Sequence, residues 1–280
     1  MKKVCFALLL WLFVNPAVLS AQHVKIATYD TLPPFAFTNK DGELTGIYIE
    51  IVKAALARMP DYTASFNVLP WARAKQEAAA GATFAILPPY FHAHDWLTET
   101  EPKRPYIWPY SLPLFTQHDV VVCNENAAPP VDTNFPMDYQ GLRFVMARGD
   151  GRAGEQFFQL AKEKKVELKL LDKAESIISF LLLARADCTI MPRSVFSWYV
   201  KQMKQSGEYQ KYDRNGVNLV EATTIFRNDG YLGYSDINAE QNFPFKKDFA
   251  IKFDIEIYKM KKTGVIQQIV ERFIAKDNPQ

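Results

Sequence analysis

The sequence predicts an α/β protein built as two units, each a mostly parallel sheet with helices on its faces. Three observations carry this. β-like runs alternate with amphipathic helical stretches between residues 24 and 87, and the alternation returns between 119 and 191. A proline-rich join over 102–113 separates the two blocks. The 280 residues are 48% hydrophobic and 14% aromatic, ample for sizeable cores, which excludes disordered, collagenous and disulfide-scaffold classes.

In chain order, residues 24–29 (VKIATY) form a strand that must end at the turn Asp30-Thr31-Leu32-Pro33-Pro34. Asp41-Gly42 marks a tight hairpin turn. From Ile47 the period changes: Ile47, Ile51 and Ala55 lie four apart with Tyr48, Val52 and Met59 beside them, an amphipathic helix closed by Pro60-Asp61. Residues 65–69 form a strand, Pro70 suits the first turn of a helix over 71–80, and Gly81 its C-terminal cap. Residues 83–87 (TFAIL) form a third strand, stopped by Pro88-Pro89. In the second block, strands at 119–123 and 142–147 precede a helix over 153–164. A strand at 166–171, a helix at 175–183 and a strand at 188–191 follow. Near the end Pro244 can open a helix with an apolar stripe of Phe249, Phe253, Ile257 and Met260. Lys262-Thr263-Gly264 breaks it, and Ile266, Ile269, Val270 and Phe273 mark a short final helix.

Residues 1–21 read as a cleaved export signal. Lys2-Lys3 precede an apolar run of 11 residues (VCFALLLWLFV), then Asn15-Pro16 and a small-residue stretch ending at Ser20-Ala21. That run is too short to cross a bilayer core of about 30 Å. Removing Lys2 and Lys3 from 33 basic residues leaves 31 against 31 acidic, so the mature chain is neutral. Nothing in that balance favours nucleic acid or an anionic membrane. Two cysteines remain, Cys123 and Cys188, each in a β-like run. An oxidising compartment permits a bridge between them, two buried thiols being the alternative. His92, His94 and Asp95 place two imidazoles at alternating positions, but His23 and His118 offer no clustered partner. No metal or cofactor is expected, and no nucleophile elbow, phosphate loop or zinc motif is present in the sequence.

The order of motifs resembles a known family. A first strand, then Pro33-Pro34-Phe35-Ala36-Phe37, then Asp41-Gly42-Glu43-Leu44-Thr45-Gly46 and an amphipathic helix are similar to the polar amino-acid-binding class (family three) of periplasmic solute-binding proteins of ABC importers. Gly81 before TFAIL, the pair Pro105-Tyr106, the stretch Ala184-Arg185-Ala186-Asp187-Cys188-Thr189-Ile190 and the ending Lys261-Lys262-Thr263-Gly264-Val265-Ile266 also match, in order, over nearly the whole mature chain. The resemblance implies a type II periplasmic-binding fold with a hinge of two crossing strands, at 115–120 and 231–235. Lobe 1 would be 22–117 plus 235–280 and lobe 2 118–234. It implies a non-catalytic protein of the periplasm, a monomer that carries a small polar solute to an inner-membrane permease.

Strand ends nominate the cleft residues, because open α/β sheets bind ligands beyond the carboxyl ends of their strands. Tyr29 and Asp30 follow the first strand; Trp71 and Arg73 open the second helix; Tyr90 follows the third strand. Phe35 is the nearest match to the aromatic that family members stack on the ligand. In lobe 2, Arg148 and Arg152 bracket a glycine-containing loop at a helix N-terminus, suited to an anion, and Arg193 lies beyond the last strand. Family members that bind amino acids usually carry a Thr-x-x-Arg segment whose Arg grips the α-carboxylate; the position reads Trp96 here. The neighbourhood that usually supplies an Asp for the α-ammonium reads Met191-Pro192-Arg193. The excess of aromatics favours a ligand with a planar or cationic face. Two other functions fit the same fold: a stand-alone sensor docking on a membrane receptor, and a dehydratase-like enzyme using Asp30 as acid or base.

Overall fold

The computed structural model describes residues 21–91, 94, 96–129, 134–213 and 216–274. The signal segment, save Ala21, lies outside the described residues, as do His92 and Asp95. The chain runs β1 (Gln22–Thr28), β2 (Thr31–Leu32), β3 (Ala36–Thr38), β4 (Leu44–Thr45), α1 (Ile47–Leu56), β5 (Tyr62–Val68), α2 (Trp71–Ala79), β6 (Ala85–Ile86) and β7 (Ile107–Tyr110). Then come β8 (Phe115–Asn124), β9 (Arg143–Ala147), α3 (Gly154–Lys162), β10 (Glu167–Leu171), α4 (Ala174–Leu182), β11 (Cys188–Pro192), α5 (Arg193–Ser206), α6 (Glu208–Tyr212) and β12 (Leu219–Gly230). The chain closes with β13 (Gly233–Ser235), α7 (Ala239–Asn242), α8 (Lys246–Lys262) and α9 (Val265–Phe273).

Two five-stranded sheets result, ordered β5-β1-β6-β13-β7 and β10-β9-β11-β8-β12. In the first, β1 is parallel to β5 and β6; in the second, β9 is parallel to β10 and β11. The last helices return to the first sheet: Phe249, Phe253 and Ile257 of α8 and Ile266 and Ile269 of α9 share one core with Val24, Ile26 and Ile51. A separate core under the second sheet gathers Val121, Phe144, Met146, Phe157 and Ile190. Asp187, from the Arg-x-Asp stretch, stitches β9 to β11. Its carboxylate accepts from the backbone N–H of Arg143 (2.8 Å) and from that residue's Nη2 (2.6 Å).

The chain leaves the first sheet after β7 and returns at β13, and the crossing segments pair with each other throughout. β8 runs antiparallel to β12 from Phe115↔Gly230 to Asn124↔Leu219. Beyond the ladder, Leu114 N–H donates to the Gly230 carbonyl (2.8 Å) and Ser111 N–H to that of Leu232 (2.9 Å). The expected second crossing strand at 231–235 differs: the strand that crosses is the end of β12, and Tyr231 and Leu232 link it to β13. Gly230 is needed there, since a Cβ would fall 2.1 Å from the Tyr48 hydroxyl. Gly46, which leads into α1 at φ +126°, is equally constrained: a Cβ would lie 2.4 Å from the Phe35 carbonyl oxygen. Away from the hinge the lobes also touch where Phe37 meets Trp198 of α5, ring centres 5.8 Å apart.

Cys123 and Cys188 face each other across β8 and β11 and are bonded as a disulfide. The bridge closes a separation of 65 residues. Reduction, or the double serine variant, is therefore expected to cost about 4 kcal/mol in the chain-entropy account. Denaturant unfolding with and without reductant checks this: the wild-type midpoint falls on reduction and the double variant's does not move.

Candidate binding cleft

The carboxyl ends of β1, β5 and β6 deliver Tyr29, Trp71 and Tyr90 to one end of the first sheet. Those of β9 and β11 deliver the Arg148–Arg152 loop and Arg193 to the facing end of the second, and β8, entering antiparallel, sets Gln117 and Asp119 there too. The lobe 1 side is an aromatic wall. Tyr29 meets Trp71 edge-on at 4.9 Å, Trp71 meets Trp96 at 5.9 Å, and Trp96 lies nearly parallel to Tyr106 at 5.9 Å. A second cluster joins Phe91, Tyr110 and Tyr231, with Phe91 half exposed.

A line of polar contacts joins that wall to lobe 2. The Tyr90 hydroxyl donates to Gln117 Oε1 (2.9 Å), and Gln117 Nε2 donates to Asp119 Oδ1 (3.1 Å). Arg152 Nη1 donates to the same Asp119 oxygen (2.6 Å), while its Nε donates to Asp150 Oδ2 (2.6 Å). Asp119 is only 5% exposed, so its charge has left water and needs this pairing. Burial opposes the Arg152 charge, but the two carboxylates more than offset it and its pKa is raised. Burial and then the Asp119 charge push the Tyr90 phenol up to about 12, against the pull of Arg152. Tyr48 is fully buried beside Tyr90, and its phenol is raised well above the usual value, chiefly by burial. The two hydroxyls approach each other, an interaction that raises the Tyr48 phenol further and draws the Tyr90 phenol down.

Of the residues nominated from sequence, Tyr29, Trp71, Tyr90 and Arg152 gather at this end of the two sheets. The other five are engaged by the chain itself. Phe35 is wholly buried, packed on Tyr48 (5.4 Å) and Phe115 (6.1 Å) in the core of the first sheet. Arg73 is exposed on α2, 3.9 Å from Glu77 one turn on, a surface pair. The anion at the Arg148–Arg152 loop is the chain's own: Asp150 accepts from the Arg152 backbone N–H (3.0 Å) as well as from its side chain. Arg148 reaches Asp172 (2.9 Å) with both side chains mostly exposed. Arg193 holds Glu221 through Nε (2.6 Å) and also contacts Thr224. Asp30 accepts from Thr38 Oγ1 (2.7 Å).

Sequence reasoning missed Gln117, Asp119, Asp150 and Tyr48. For Asp119 a signal was present: a lone carboxylate opening the apolar run DVVVC. Among the described residues no His, Cys, Asp and Glu group is arranged to hold a metal ion, and no helix is long and apolar enough to cross a membrane. Two surface depressions of about 650 Å³ lie elsewhere, one around Arg104, Asp236 and Lys246 and one around Glu43, Lys53 and Phe273.

The model of bacterial extracellular solute-binding proteins, family 3, matches residues 24–276. The chain belongs to that family. Solved structures with the same two-lobed fold include substrate-binding domain 2 of GlnP from Lactococcus lactis in its open conformation, at TM-score 0.64 and 15% identity, covering 92% of this chain and 97% of that one. The unliganded, open L-cystine solute receptor of Neisseria gonorrhoeae superposes at TM-score 0.62 and 19% identity, covering 92% and 95%. The probable amino-acid ABC transporter extracellular-binding protein ytmK of Bacillus subtilis gives 0.62 at 14%, covering 92% and 99%. Identities this low speak for the fold alone. No curated protein matches the chain in sequence. A family 3 protein is a solute-binding protein, and solute binding is this chain's role.

Two outcomes test the cleft's electrostatics. Arg152→Met strands a buried carboxylate and is expected to cost about 3 kcal/mol in denaturant unfolding. The Tyr48 and Tyr90 phenols have raised folded pKa values, so their contribution is full below about pH 10 and is lost as pH rises through the folded values. Phenolate absorbance of the native protein at about pH 10 is therefore expected to be unchanged by Tyr48→Phe or Tyr90→Phe.

Proposed function

We propose that the chain is an exported, periplasmic carrier that captures a small solute between its lobes and hands it to an ABC permease of the inner membrane. Lobe 1 is 22–117 plus 231–280 and lobe 2 is 118–230, a boundary moved from 234 because β13 lies in the first sheet, after removal of the signal at 1–21. The cleft residues are Tyr29, Trp71 and Tyr90 on one side and Asp119, Asp150 and Arg152 on the other. The observation that carries this reading is the line from Tyr90 through Gln117 to the Asp119–Arg152 pair, which passes from lobe 1 along a crossing strand into lobe 2. A solute seated there touches both lobes and favours the closed form in proportion to the extra contacts that form offers.

The same geometry supports binding over chemistry. Asp119 and Asp150 both accept from Arg152, so each carboxylate already serves the chain's own guanidinium. A monomer without a cofactor suffices for this role.

The test is thermal unfolding of the mature chain, residues 22–280, against amino acids, polyamines, nucleosides, dipeptides and aromatic acids. A true cargo at a hundredfold excess over Kd adds about 2.7 kcal/mol, and the compound is recovered unchanged. A flat response to every class would count against a carrier, and recovery of a converted compound would point to an enzyme.

A further inference from the structure

We propose that the cargo is a small organic cation with an apolar or aromatic body and no free carboxylate. This rests on the cleft reading above and deepens it.

The charges at the cleft point this way. Arg152 is engaged by both Asp119 and Asp150, at 2.6 Å each, so the three side chains together present two negative charges and one positive. Arg193 and Arg148, the other arginines at the lobe 2 strand ends, are paired with Glu221 and Asp172. A solute carboxylate would have to displace one of the chain's own carboxylates from a short, charge-assisted bond, or sit beside the surplus negative charge. An ammonium or amidinium group meets that surplus directly. It needs no guanidinium, and the position where a carboxylate-gripping Arg would be sought holds Trp96 instead.

Lobe 1 supplies the complementary surface. Tyr29, Trp71 and Trp96 form a continuous run of rings, which suits an apolar body and attracts a cation to the ring faces. The chain shows that attraction itself: Lys75 Nζ lies 5.9 Å from the centre of the Trp96 ring.

Matched pairs test this on the mature chain by calorimetry: tyramine against tyrosine, tryptamine against tryptophan, agmatine against arginine, with 3-(4-hydroxyphenyl)propionate as the acid lacking an amine. At least one amine is expected to bind tenfold or more tightly than its amino acid, with no binding of the acid. Asp119→Asn, which leaves Arg152 on Asp150, is expected to weaken that amine at least tenfold. Asp150→Asn, at a more exposed position, gives the same readout should the first variant fail to fold. Amino acids binding as tightly as their amines, a loss of binding in Lys75→Met but not in Asp119→Asn, or response to neutral solutes only would overturn the cationic cargo while leaving the carrier intact. Silence from these compounds and from the whole solute panel would overturn both.

Discussion

The ladder between β8 and β12 holds the two halves of the cleft against each other. Two segments that must cross from one lobe to the other could do so as loops, at the cost of ordering backbone with no hydrogen-bonded return. Here they form one antiparallel ribbon from Phe115↔Gly230 to Asn124↔Leu219, extended by the Ser111 and Leu114 bonds into the first sheet. The ribbon brings Gln117 and Asp119 to the strand ends facing lobe 1 and, at its far end, sets Cys123 opposite Cys188 in the second sheet. It also explains Gly230, which sits where the ribbon passes against Tyr48 too closely for a Cβ.

On that frame the electrostatics follow from burial. Asp119 lies midway along β8, its next four residues, Val120 to Cys123, lie in the interior, and a carboxylate carried there needs a compensating cation. Arg152 supplies it from the loop before α3, and Asp150 orients Arg152 from two residues earlier. The loop that would otherwise offer free N–H groups to a foreign anion is thus occupied by the chain's own carboxylate. Tyr90 and Gln117 carry this arrangement across to the aromatic wall, so the two halves of the cleft differ in character: ring faces in lobe 1, a carboxylate-rich triad in lobe 2.

Much of the frame was readable from residue patterns. The period of Ile47, Ile51 and Ala55 and the stripe of Phe249, Phe253 and Ile257 are set by local burial, and helices α1 and α8 occupy those stretches. What pattern could not show was β12, because its burial is only partial along most of its length and its residues, from Thr223 to Asp229, lack a clean alternation. The site was half visible for the same reason. Residues that follow buried strands, such as Tyr29 and Tyr90, announce themselves by position. Partner choice does not: that Arg152 turns to Asp119, 33 residues away in sequence, while Arg148 turns to Asp172, is decided by tertiary distance alone. Phe35 misled because its place in a family-like loop says nothing of which way the ring points, and the core beside Tyr48 was the better solvent for it.

The central claim is that one cleft, bounded by Tyr90 and the Asp119–Arg152 pair, holds the solute. The most direct measurement is a crystal structure of the mature chain with the tightest-binding compound from the solute panel. The account predicts density within hydrogen-bond reach of the Asp119–Arg152–Asp150 group, against the Tyr29 and Trp71 rings, with both lobes in contact. Density confined to the depression around Arg104 and Asp236, or to one lobe, would contradict it.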